Sequence, residues 1–179
     1  MIRYLFLASL LTLSACQSTH LAELDYQPGH NFTQVQSWQW AQPAIQFEPD
    51  TPAQNSDLDA QRVRQAIAEQ LSQQGLRHSD NASIAVRAWL ISESQQQRVD
   101  IQNSDYWGGA WGPRIRTESY EVTQQIQKLQ IDILDSSTQT LLWRASDSWI
   151  LPQQRISPAA RDAKLRAQVQ HILQHFPPR

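Results

Sequence analysis

The sequence is poor in the residues that cross-link a chain, loosen it or give it a strong charge. It contains one cysteine, five glycines and one methionine in 179 residues. A single cysteine excludes an internal disulfide framework and a zinc site built from several thiolates. The formal net charge is −2 at pH 7, with Lys128 and Lys164 as the only lysines. Because nucleic-acid binding needs a basic excess, we expect no nucleic-acid partner.

Long hydrophobic runs are also missing, since a membrane-spanning helix takes roughly 20 apolar residues. The apolar stretch from Leu5 to Leu13 is shorter than this, follows the basic Arg3 and leads into Ser14-Ala15-Cys16. This order is typical of a bacterial lipoprotein signal peptide, which is cleaved before a cysteine that receives lipid. The sequence therefore predicts a signal peptide over residues 1–15, a lipidated tether over 16–23 and lipidation at Cys16.

Lipidation also accounts for a lone cysteine in an exported protein, because the lipid consumes a thiol that would otherwise be unpaired in an oxidising compartment. One acyl chain binds membranes only marginally, but a diacylglycerol with an added acyl chain anchors stably. Gln17 follows the cysteine. By resemblance to known lipoproteins, the absence of Asp there indicates the outer membrane, on the periplasmic face. The alternative is an ordinary secreted protein whose cysteine falls there by chance.

Residues 24–179 are expected to form a single α+β domain. Period-two patterns predict strands near 24–26, 32–40, 82–91, 120–134 and 141–149, and patterns with steps of three and four predict two helices. Ser56 caps the first helix and Gly75 ends it, whereas Ser157-Pro158 begins the second and Pro177-Pro178 ends it. Two amphipathic helices can cover one face of a sheet. We expect a two-layer sandwich with a mainly antiparallel sheet and both helices packed on one face.

The strand predicted over residues 120–134 changes its apolar parity. Apolar residues are even-numbered from Tyr120 to Ile126 and odd-numbered from Leu129 to Ile133. A strand that keeps one face buried needs an inserted residue for such a change, so the pattern predicts a β-bulge near Gln127-Lys128. The polar stretch from Ser92 to Arg98 is expected to continue its strand as an exposed end.

Several segments of the chain together resemble the bacterial lipoproteins grouped as domain of unknown function (DUF) 4136. They are Asp25-Tyr26, the Phe-x-x-x-x-Ser-Trp-x-Trp segment from Phe32 to Trp40, Leu129-x-Ile131-Asp132-Ile133-Leu134-Asp135, Leu142-Trp143-Arg144-Ala145 and Ile172-Leu173-x-x-Phe176-Pro177-Pro178. The chain departs from the common pattern at Ala145, where a glycine often follows. The resemblance implies one α+β domain on a lipid anchor, with no established activity and no catalytic residue to transfer.

Three groups of residues are candidate sites outside the anchor. The aromatic and glycine-rich stretch at residues 105–113 is a candidate binding loop for a sugar, a peptide or a lipid surface, with Tyr106, Trp107 and Trp111 as contacts. Folding of these aromatics onto the sheet is the structural alternative. His171 and His175 have a metal-compatible spacing, but the sequence offers no evident third ligand, so we expect no metal site. Asp132 and Asp135 are a carboxylate pair for which turn formation by Asp135 and an ion pair from Asp132 to Arg144 are the favoured roles.

These observations predict a cell-envelope lipoprotein with a non-catalytic binding or structural domain. The lipid on Cys16 gives it a membrane partner, and an envelope protein, peptidoglycan or a small ligand is expected as the other partner. No enzyme activity, cofactor or catalytic residue is expected. The alternative is a periplasmic envelope hydrolase that uses the sheet carboxylates. Assembly into oligomers through an exposed sheet edge at Gln95–Arg98 is a third hypothesis.

Overall fold

The computed structural model describes residues 23–51, 56–105, 114–152, 154 and 156–178. Cys16, the predicted signal peptide before it, and Tyr106, Trp107 and Trp111 of the candidate loop lie outside these residues. The described part of the chain forms two helices, α1 (Asp57–Gln73) and α2 (Pro158–Leu173). It also forms six strands, which are β1 (Glu23–Tyr26), β2 (Ser37–Glu48), β3 (Arg77–His78), β4 (Ile84–Asp105), β5 (Arg114–Asp135) and β6 (Leu141–Ile150). A single 3₁₀ turn at Phe32–Gln34 precedes β2, so the predicted strand over 32–40 begins later than expected.

Both predicted helices are present and begin at the predicted caps. The Ser56 hydroxyl accepts a hydrogen bond from the Asp59 backbone N–H at 3.2 Å, and the Ser157 hydroxyl accepts one from the Ala160 N–H at 3.2 Å. These bonds satisfy backbone donors that the first turn of a helix leaves unpaired. At the end of α1, Gly75 adopts a φ of +86°, which a residue without a side chain adopts at little cost.

The six strands form one mixed sheet in the order β1-β6-β5-β4-β2-β3. The pairs β1/β6, β6/β5 and β5/β4 are antiparallel, whereas β2 runs parallel to both β4 and β3. The prediction of a mainly antiparallel sheet is therefore wrong. The physical reason is α1, which carries the chain from the end of β2 back to the level where β2 began, so β3 and β4 run parallel to β2.

One hydrophobic core joins both helices to one face of the sheet, which we call the helix face. Trp38 and Trp143 are the largest side chains in it and are 1% and 0% exposed. The helix face carries Ile84, Val86, Ala88 and Leu90 of β4 and Leu129, Ile131 and Ile133 of β5, and the helices contribute Val63, Ala66, Ile67, Leu71, Leu165, Val169, Ile172 and Leu173. The opposite face, which we call the far face, carries the alternate residues of each strand.

The change of parity in β5 has a different origin from the predicted β-bulge. β5 pairs with β4 without interruption from Ile84↔Asp135 to Asp105↔Arg114, so the bulge near Gln127-Lys128 is wrong. Because a regular strand keeps its alternation, the even-numbered apolar residues of β5 lie on the far face instead. The register irregularity in β5 falls at its pairing with β6, between Ile133 and Leu134.

β4 and β5 continue past the rest of the sheet as a two-stranded ribbon. The pairing of β2 with β4 ends at Ile91, and that of β6 with β5 ends at Ile126. We define the ribbon as residues 95–105 and 114–124, which pair with each other along their whole length. The expected exposed continuation from Ser92 to Arg98 is thus confirmed and extends to Asp105. In the described part of the chain, no helix combines the length and hydrophobicity that a membrane crossing needs.

Candidate functional site

A row of alternating charges crosses the far face of the sheet over four neighbouring strands. Asp25 of β1 lies opposite Arg144 of β6, Arg144 opposite Asp132 of β5, and Asp132 opposite Arg87 of β4. Opposite charges on directly paired residues attract each other across strands. The row therefore places Asp132 between two guanidinium groups at the centre of the sheet.

Three side chains donate hydrogen bonds to the carboxylate of Asp132. Arg144 donates from Nε to Oδ1 at 2.7 Å and from a terminal nitrogen to Oδ2 at 2.8 Å, which confirms the predicted ion pair. Trp89 Nε1 donates to Oδ2 at 3.1 Å, and Gln130 Nε2 donates to Oδ1 at 3.2 Å. With Asp132 only 2% exposed, these donors replace the water that the carboxylate loses.

The same contacts shift the pKa of the Arg144 guanidinium. Its hydrogen bonds to Asp132 raise the pKa of Arg144, burial works against that rise, and the charges of Asp132, Glu23 and Asp25 add to it. At the other end of the row, Nε of Arg87 is buried and makes no hydrogen bond within the described residues. The arrangement holds charges in fixed positions, and both oxygens of its central carboxylate are occupied.

Asp135, the other carboxylate of the predicted pair, has a separate task. Its Oδ1 accepts hydrogen bonds from the Ser137 hydroxyl at 2.6 Å and from the backbone N–H groups of Ser137 and Thr138 at 2.9 Å each. The Ser137 hydroxyl contributes most, followed by these N–H groups, and together they lower the pKa of Asp135 to about 2. The predicted turn-forming role is confirmed. Being three residues apart on one strand, Asp132 and Asp135 lie on opposite faces and do not meet in one cleft.

A second buried carboxylate, Asp59, clamps the two helices together. Arg161 of α2 donates from Nε to both oxygens of Asp59 at 2.8 and 2.9 Å, and Arg62 of α1 donates at 2.7 Å. Burial acts to raise the pKa of Asp59, but the hydrogen bond and charge of Arg161, followed by those of Arg62, outweigh it and lower the pKa. The sequence gives no sign of this contact, because nothing local links Asp59 to an arginine 102 positions away.

The two candidate histidines, His171 of α2 and His175 just after this helix, face different neighbours. His171 Nδ1 lies 3.4 Å from Asp147 of β6, on the helix face, and its ring centre is 6.0 Å from that of His175. His175 Nε2 lies 3.2 Å from the side-chain amide of Gln174. Among the described residues, no group of three or more His, Cys, Asp or Glu side chains is placed to hold a metal ion.

A cleft of about 420 Å³ brings the two ends of the described chain together. Its lining comes from β1 and from the segment after α2, namely Leu24, Tyr26, Gln174, His175, Pro177 and Pro178. Tyr26 and the two prolines belong to the segments that carry the family resemblance. The cleft offers aromatic and proline rings with one imidazole, which suits contact with an apolar or mixed partner better than proton transfer between acids.

The sequence matches a known protein family. The family described as "Domain of unknown function (DUF4136)" matches residues 22–178, and the chain therefore belongs to this family. No protein of established, curated function matches the sequence.

Solved structures resemble the chain at low sequence identity. A PDZ domain protein from Parabacteroides distasonis is 11% identical over 88% of this chain, with a TM-score of 0.52. This chain spans only 35% of that protein, so the likeness concerns one part of it and the fold alone. The PelC dodecamer from Paraburkholderia phytofirmans is 13% identical over 88% of this chain and 99% of its own, with a TM-score of 0.46.

Proposed function

We propose that this DUF4136 protein is a cell-envelope lipoprotein, held by lipid on Cys16 at the periplasmic face of the outer membrane. The observation that carries the proposal is the Leu13-Ser14-Ala15-Cys16 motif behind a short apolar stretch. It is supported by the position of β1, whose first residue, Glu23, follows the cysteine by only seven positions. A tether of this length keeps the domain next to the membrane.

The proposed role of the domain is binding or support of an envelope partner, without catalysis. In this proposal the domain is a two-layer sandwich in which both helices cover one face of the sheet and the other face remains for contacts. The support is the state of the buried acids, since Asp132 and Asp59 are each bonded to arginine through both oxygens. An envelope protein, peptidoglycan or a small ligand is the proposed partner.

The lipid anchor is tested with Cys16→Ser in cells fed radioactive palmitate. We expect the variant to lose the label and to remain as the longer, unprocessed precursor, because the thiol is the attachment point. Ser18→Ala serves as the matched control and should label as the natural protein does. Full labelling of Cys16→Ser would overturn the proposal. Gln17→Asp tests which membrane holds the anchor, and should move the protein from the outer to the inner membrane fraction.

The role of the domain is tested by crosslinking in intact envelopes and identification of the captured partner. Asp132→Asn separates this role from the rival, an envelope hydrolase that uses a sheet carboxylate. A hydrolase would lose its activity in this variant while its partners changed little. A binding domain should keep its crosslinked partner in any Asp132→Asn protein that folds.

A further inference from the structure

The two faces of the ribbon differ in composition beyond its first residues, which are Gln95, Gln97 and Gln124 on the far face. On the far face, Val99, Ile101 and Tyr120 are 38%, 46% and 50% exposed, and Val122 is half-buried beside them. On the helix face, the ribbon carries polar, exposed side chains, namely Gln96, Arg98, Asp100, Ser119, Glu121 and Thr123. Because Val99 pairs directly with Tyr120, the apolar side chains form a continuous patch on one face.

The first residue of β1, Glu23, lies at the end of that strand nearer to the ribbon. β1 pairs antiparallel with β6, with Glu23 opposite Ser146, and Ser146 lies opposite Gln130 of β5. From Tyr26 to Glu23, β1 therefore runs toward the level of Ile150, which is the end where the ribbon leaves the sheet. Arg114, at the far end of the ribbon, is 16 residues beyond Gln130, a contour of roughly 50 Å for an extended strand.

When the ribbon is directed toward the membrane, the tether is too short to hold the end of the ribbon clear of the lipid. Seven residue steps from Cys16 to Glu23 span at most about 25 Å. This is half of the roughly 50 Å by which β5 extends from Gln130, at the level of Glu23, to the end of the ribbon. A ribbon aimed at the bilayer would therefore meet it before the tether is fully stretched. Passage through the hydrocarbon is opposed by the charges of Arg98, Asp100 and Glu121 and by the two outer edges of the ribbon, which no other described strand pairs with. An orientation along the surface, with one face toward lipid, satisfies both constraints.

We propose that the ribbon lies on the membrane that holds the lipid anchor, with the patch of Val99, Ile101, Tyr120 and Val122 against the lipid surface. This inference rests on the proposed lipidation of Cys16. Shallow burial of apolar side chains at the headgroup boundary is the mode of interfacial binding, and tyrosine is well suited to that boundary. The contact orients the domain on the membrane and leaves the charged row on the same face of the sheet near the lipid headgroups.

The test uses the full lipidated protein in vesicles of phosphatidylethanolamine and phosphatidylglycerol at 3:1. Lipid consumes the thiol of Cys16, so one added cysteine takes a bimane label at a single position. We compare Val99→Cys with its neighbour Asp100→Cys, whose side chain points to the opposite face. With lipids that carry a nitroxide near the headgroup, we expect quenching at position 99 at least twofold stronger than at position 100.

Three other outcomes would overturn the inference. Equal weak quenching at both positions means that the ribbon stands clear of the lipid, and equal strong quenching means that both faces are inserted. If the label at position 99 is shielded from the nitroxide, and this shielding weakens as the protein is diluted at constant lipid, a second copy of the chain covers the patch. Flotation separates this inference from the proposed function when it is done with Cys16→Ser as well: equal flotation of this variant and the natural protein would count against the lipid anchor, whereas the ratio of quenching at positions 99 and 100 in the floating natural protein reports on the ribbon alone.

Discussion

β4 and β5 contain two regions that obey the same strand geometry and reach opposite outcomes. In the region under the helices, Leu90, Leu129 and Ile131 point to the helix face and are at most 2% exposed. In the ribbon, Val99 and Tyr120 point to the far face and remain 38% and 50% exposed. The alternation along each strand is unbroken between the regions. The difference teaches that the period of a strand fixes which residues share a face, whereas the elements packed on it decide which face is buried.

The two regions should also differ in what they contribute to stability. Apolar side chains under the helices leave water completely, and the transfer of such surface contributes about 25 cal/mol for each Å² buried. A two-stranded ribbon is marginally stable alone and depends on the sheet from which it continues. We therefore expect the region under the helices to determine the free energy of unfolding, and the ribbon to contribute little.

The largest expected effect comes from a matched pair of isoleucines. Ile131→Ala removes a side chain that is 0% exposed and should lower the free energy of unfolding by about 2–5 kcal/mol, because a cavity remains in the core. Ile101→Ala makes the same change at a side chain that is 46% exposed and should cost about 0.5 kcal/mol or less. Urea unfolding of the chain from residue 17 measures both. Equal losses would contradict the comparison.

Arg144→Ala should have the next largest effect, on the far face within the sheet. It leaves the buried carboxylate of Asp132 with the hydrogen bonds of Trp89 and Gln130 alone, so we expect a loss of about 2–3 kcal/mol. Arg98→Ala, in the exposed part of the ribbon, is the control and should change the urea midpoint little. A small effect for Arg144→Ala would mean that Asp132 does not need its guanidinium partner.

Asp59→Asn tests the clamp between the helices and its pH dependence. Because the folded protein lowers the pKa of Asp59, the clamp stabilises the fold above the ordinary carboxyl pKa near 3.9 and loses this contribution as the pH falls through the folded pKa. We expect the variant to be about 1–2 kcal/mol less stable at pH 7, since the arginines reach solvent. The difference should vanish in strong acid. A difference that is independent of pH would exclude an electrostatic origin.

Local sequence patterns predicted much of the fold, because they depend on interactions between near neighbours. The caps at Ser56 and Ser157, the turn at Asp135 and the helices all rest on residues within a few positions of each other. The ion pair of Arg144 with Asp132 was also predictable, since a tight turn sets the register of the two strands. These features carry their information within one helix or one hairpin.

The errors of the sequence analysis concern contacts that join distant parts of the chain. Strand direction depended on how α1 returns the chain, so the parallel pairs of β2 were missed. The bulge near Gln127-Lys128 was inferred from the assumption that one face stays buried along the whole strand, and the ribbon violates that assumption. The ion pair of Asp59 with Arg161 joins two helices that are far apart along the chain, and no local pattern indicates it.

The smallest expected effect is that of Val99→Thr in the ribbon. Threonine and valine have nearly the same shape and both favour strands, so an exposed site should accept the hydroxyl with a change within about 0.5 kcal/mol. Urea unfolding of the chain from residue 17, without membranes, measures it. A loss above about 1 kcal/mol would show that water does not reach Val99 in solution, because burial of an unpaired hydroxyl is costly. In that case a second copy of the chain buries Val99, and the unfolding midpoint should rise with protein concentration. A midpoint that is independent of concentration, with no loss, would mean that the patch is open to water in solution, as the proposed contact with lipid requires.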